Sequence, residues 1–72
     1  MKYRFNKNLL VINESFIYAR KHIQKCDINN HELNIRNGNW HDRFDLPSGG
    51  VEDHKFIAKL KQDIEAWLNN EA

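Results

Sequence analysis

The spacing of hydrophobic positions in this 72-residue chain changes several times along its length. Residues 2–12, KYRFNKNLLVI, are rich in aromatic and branched side chains, as an extended segment is. Asn6-Lys7-Asn8 interrupts the run. Either one strand carries a bulge there, or two short strands turn there. In one continuous strand Tyr3, Phe5, Leu9 and Val11 share a face, and Lys7 spoils it.

The period then becomes helical. Phe16, Ala19, Ile23 and Cys26 recur at i, i+3, i+7 and i+10. Asn13 is placed to cap a helix beginning at Glu14, with the acid in its first turn. Arg20, Lys21 and Lys25 fall in the last turns, where cations suit the helix dipole. Residues 27–30 read as a loop.

A hairpin follows. Asn37-Gly38 predicts a two-residue type I′ turn, which needs positive φ at both central residues. That turn pairs Arg36 with Asn39, Ile35 with Trp40, Asn34 with His41, Leu33 with Asp42 and Glu32 with Arg43. An aromatic–branched pair and an opposite-charge pair support this register. Alternation puts Trp40, Asp42, Phe44 and Leu46 on one face, with Asp42 the misfit and Trp40 expected to pack in the core against Ile35. Pro47 ends the strand because it has no N–H to donate. Ser48-Gly49-Gly50 turns the chain into a second helix from Val51, with Glu52 and Asp53 in its first turn. Phe56, Ile57, Leu60, Ile64, Trp67 and Leu68 form its apolar stripe, and Asn69-Asn70 stops it.

The predicted order is β(β)-α-β-β-α. An antiparallel sheet with both helices on one face makes a two-layer α+β sandwich, one domain over residues 1–72. A chain this short buries only about 60% of the surface its unfolded form exposes. Its longest aliphatic run, Leu9-Leu10-Val11-Ile12, is too short for a membrane span or a signal peptide. One cysteine, Cys26, permits no internal disulfide. Together these features predict a cytoplasmic protein. Ten asparagines, seven lysines and seven isoleucines share A/T-rich codons, as small genes of phages and other mobile elements often do.

The net charge of +1 is unevenly spread. Residues 1–26 carry six Lys/Arg against one Glu, and residues 27–54 carry two Arg against six acids. A dedicated nucleic-acid binder has a larger basic excess.

Candidate chemistry is thin. His22 and Cys26, four apart on the expected helix, could meet His31, His41 or Asp42 around zinc, but no paired-cysteine knuckle is present and Cys26 lies on the apolar stripe. His31, His41 and His54 have acidic and basic neighbours suited to acid–base chemistry, yet a domain of this size has little room for a water-excluding cleft. The Pro47-Ser48-Gly49-Gly50 turn lacks the Lys and Ser/Thr of a phosphate loop, and Glu52 and Asp53 would repel an anion there. No enzyme, metal or cofactor is therefore expected. The leading expectation is a protein-binding module, an accessory or inhibitory protein of a phage or mobile element docking on a host or cognate protein. Its candidate contacts are Asn39, Trp40, His41 and Arg43 at the hairpin tip. The alternative is nucleic-acid binding through Lys2, Arg4, Lys7, Arg20, Lys21 and Lys25 on the basic first strand and helix. An open sheet edge also offers a route to a homodimer.

Overall fold

The computed structural model describes residues 1–69. Its elements are β1 (Tyr3–Phe5), β2 (Leu9–Ile12), β3 (Phe16–Ala19), β4 (Lys25–Asn29), β5 (Glu32–Asn37), β6 (Trp40–Asp45) and α1 (Val51–Leu68). A 3-10 turn at Arg20–His22 joins β3 to β4. The strands make two antiparallel three-stranded sheets, β1-β2-β3 and β4-β5-β6.

This overturns the two-helix layout. The expected helix over residues 14–26 is instead a strand, a 3-10 turn and the start of another strand. Asn13 and Glu14 have φ of 52° and 60°, in the left-handed region, so Asn13 is a turn residue and not a helix cap. Ser15 N–H donates to the Ile12 carbonyl at 3.2 Å and closes the reversal. Phe16, Ile17 and Tyr18 then pair with Ile12, Val11 and Leu10. Aromatic and branched residues gain more on such a pleated surface than in a short helix, which is marginal alone below about 12–15 residues. Residues 27–29, expected in a loop, finish β4, whose sequence Lys-Cys-Asp-Ile-Asn alternates polar and apolar.

The open question over residues 2–12 resolves as two strands. The Asn6 Oδ1 accepts the backbone N–H groups of Asn8 and Leu9 at 2.9 and 2.8 Å, which builds the turn between them. Lys7 stands exposed in that turn and intrudes on no apolar face.

The second hairpin forms, with its turn one residue later than expected. Gly38 and Asn39 are its two central residues, and of the pair only Gly38 has positive φ, at 63°. Glycine at the first central position is the type II′ pattern. Arg36 therefore pairs His41, Ile35 pairs Asp42, Asn34 pairs Arg43, and Leu33 pairs Phe44. Each partner shifts by two residues, so every side chain keeps its face. The gain is an apolar pair, Leu33 with Phe44, inside the protein. The losses are the expected Glu32–Arg43 pair and the packing of Trp40 on Ile35, and Trp40 is 74% exposed.

Asp42 finds its explanation here. The Tyr18 hydroxyl donates to its Oδ2 at 2.6 Å. The Phe44 ring also lies 5.2 Å from Phe16 and 6.4 Å from Tyr18, edge to face in each case, so β3 and β6 meet through their inward side chains. Helix α1 covers the core with Leu60, Ile64 and Trp67, while Val51 and Leu68 stay exposed. The buried cluster takes Leu10, Ile12 and Tyr18 from one sheet, and Cys26, Leu33 and Ile35 from the other. Two polar ties lock the helix to the first sheet. Tyr3 donates to Asp63 at 2.9 Å, and the Trp67 Nε1 donates to the Asn6 carbonyl at 2.7 Å. Asn69 follows α1 as expected of the stop, and Asn70 lies outside the described residues.

Candidate functional site

Strand alternation divides the β4-β5-β6 sheet into two chemical faces. Cys26, Ile28, Leu33, Ile35, Asp42 and Phe44 turn inward. The outward positions are all polar, and the register sorts them into three rows across the strands. Lys25, Arg36 and His41 make a cationic row beside the hairpin tip. Asp27, Asn34 and Arg43 make a mixed row, and Asn29, Glu32 and Asp45 an acidic one. The face is concave, with a volume of about 650 Å³.

Two contacts organise it. Lys25 Nζ lies 3.5 Å from Asp27 Oδ2. His41 Nε2 lies 3.2 Å from Asn34 Oδ1, so with the amide oxygen accepting, Nε2 carries the proton. Arg36 and Arg43 make no salt bridge among the described residues. They are diagonal neighbours across β5 and β6, roughly 7–8 Å apart as such positions are. Both arginine side chains are exposed and border the same concave face. Glu32 stands directly opposite Asp45, a like-charge pairing that the fold tolerates at the other end.

The candidate contacts fall around this face. His41 and Arg43 are on it, Asn39 is in the turn at its cationic end, and Trp40 is on the strand's other side at the same end. Trp40 pairs with Asn37 beyond the reach of the core, which is why it is exposed. Lys25 and Arg36 complete the cationic row. In the sequence Lys25 falls in the alternative basic set, and Arg36 falls in neither set. The alternation of Lys25-Cys26-Asp27-Ile28-Asn29 against Glu32-Leu33-Asn34-Ile35-Arg36 carries the signal that would have found both.

The six basic residues of the alternative set do not converge on one helix, because that helix does not form. Lys2 and Arg4 border a cleft with Val11 and Phe56. Arg20 and Lys21 border another with Asn8 and Leu9, and Lys25 belongs to the β4–β6 face. Lys7 is in the β1–β2 turn.

The candidate metal residues are likewise separated. His22 is exposed in the 3-10 turn, Cys26 is buried on the inner side of β4, and His41 is on the outer side of β6. Burial first, and the charge of Asp27 second, push the Cys26 thiol up to about 12, so it is held as the thiol and not the nucleophilic thiolate. Among the described residues no three His, Cys, Asp or Glu side chains gather as metal ligands would. Nor is any helix among them long and apolar enough to cross a membrane.

No protein-family model, curated protein or solved structure matches this chain.

Proposed function

We propose that this protein is a non-enzymatic binding module that docks on another protein through the outer face of β4-β5-β6. The observation that carries the reading is the pair Arg36 and Arg43, exposed and without a salt bridge among the described residues, in a charge-sorted polar face with Trp40 uncovered at its edge. Arg and Trp are the types that most often dominate binding energy at interfaces. A cationic row and an acidic row on one face fix the orientation of a partner with the opposite polarity. The A/T-biased composition fits an origin in a phage or mobile element, and on that origin we read the protein as an accessory or inhibitory protein with a host protein as its target.

The test is a tagged pull-down from host-cell lysate, split into nuclease-treated and untreated halves. A specific protein captured in both halves is the expected result. Captured material that disappears with nuclease would overturn the reading.

A further inference from the structure

A second polar cleft, of about 470 Å³, shares no lining residue with the β4–β6 face. It gathers Asn30 and His31 from the β4–β5 turn, Ser48 from the segment after β6, and His54, Ile57 and Lys61 from α1. The helical three stand at i, i+3 and i+7, on one side of the helix. One backbone bond and one bond to a side chain hold the three pieces together. The His31 carbonyl accepts the Leu46 N–H at 2.7 Å, which ties the turn to the end of β6. The Gly49 N–H donates to Asp53 Oδ2 at 2.8 Å, which sets the entry into α1. Asn30 holds the turn with a φ of 60°.

The chemistry of the lining is one-sided. It offers an ammonium, two imidazoles, a hydroxyl and an amide, and no Asp or Glu is among the described residues that line it. The chain has ten acidic residues, and the β4–β6 face includes two of them in its lining. Asp53, which precedes His54, turns its Oδ2 to the Gly49 N–H and is not among the lining residues, so within the lining itself an anion meets donors and no acid. Five donor side chains exceed what the two oxygens of a carboxylate engage, and they suit the three or four oxygens of a phosphate. Ile57 supplies apolar surface for a body attached to it.

The geometry points to this cleft as a binding site for a phosphate group. The test follows backbone amide shifts by NMR while full-length protein is titrated with inorganic phosphate, phenyl phosphate and acetate. Saturable shifts centred on residues 30, 31, 48, 54 and 61 are expected, with a dissociation constant on the order of millimolar for inorganic phosphate. K61Q and H54Q, both at exposed positions, keep a folded spectrum and each weaken binding by about tenfold, the effect of one charge-assisted hydrogen bond. Tighter binding of phenyl phosphate identifies a phosphate carried on an apolar body, and equal binding identifies free phosphate. The proposal is overturned by the absence of saturation, by acetate binding as tightly as phosphate, by shifts centred on Arg36 and Arg43, or by unchanged affinity in both variants.

Discussion

Replacing Tyr18 by Phe removes one oxygen and tests how the two sheets are joined. Tyr18 is 5% exposed, and its hydroxyl donates to the half-buried Asp42 at 2.6 Å. The ring contact with Phe44 survives the substitution, so the change isolates the hydrogen bond. A hydrogen bond to a charged group contributes about 1.5–3 kcal/mol, and its loss also leaves the carboxylate short of a donor. For a domain of this size that lowers Tm by about 6–24 °C. The alkaline limb gives a second readout. Burial first, then the hydrogen bond and charge of Asp42, raise the Tyr18 hydroxyl well above its usual 10.0. A group with a raised folded-state pKa contributes stability that is fully present below the unfolded value. That stability is lost as pH rises, beginning near the unfolded value. Tyr18 therefore makes the parent protein lose stability above about pH 10, beside the contributions of Cys26 and Tyr3, and Tyr18→Phe makes that limb less steep without abolishing it. Circular-dichroism melts between neutral pH and pH 11 measure both effects. A variant with unchanged Tm and an equally steep alkaline limb refutes the role given to this bond.

Three further outcomes follow from the same structure. Leu60→Ala empties a fully buried position on α1 and lowers unfolding free energy by about 2–5 kcal/mol in urea titrations. Asp63→Asn acts on the acid side: Lys59 first and Tyr3 second hold the Asp63 carboxyl below its usual range, so its contribution is present above the unfolded pKa and fades as pH falls through the folded one. Lys59 is largely exposed and Asp63 is half-buried, so screening keeps the effect on acid melts small, and the variant's acid limb is the flatter of the two. Cys26 reacts with a thiol reagent far more slowly in the native protein than in denaturant, since it is buried and kept protonated; equal rates contradict its placement in the core.

The sequence revealed some elements and hid others for identifiable reasons. Helix α1 was readable because Leu60, Ile64 and Trp67 repeat at helical spacing after a glycine-rich entry. The β5–β6 hairpin was readable too, although its glycine takes the first central position and not the second. Residues 13–26 misled because Phe16, Ala19, Ile23 and Cys26 fit a helical period by coincidence. Whether Asn13 caps a helix or turns a hairpin depends on φ, and both roles suit asparagine. Asp42 looked misplaced because its donor, Tyr18, is 24 residues away in sequence. The hairpin pattern alone places His41 and Arg43 near its turn. The pattern does not mark Arg36, because its place in the cationic row depends on the pairing of three strands.

The most direct test of the docking face compares three proteins as baits in nuclease-treated host lysate: the parent, R36E/R43E and K2E/R4E. All the exchanged side chains are exposed, so circular dichroism should show unchanged folds. The account predicts that the parent and K2E/R4E retain the same specific protein and that R36E/R43E loses it. Retention by R36E/R43E together with loss by K2E/R4E would contradict the account and move the binding surface to the first sheet.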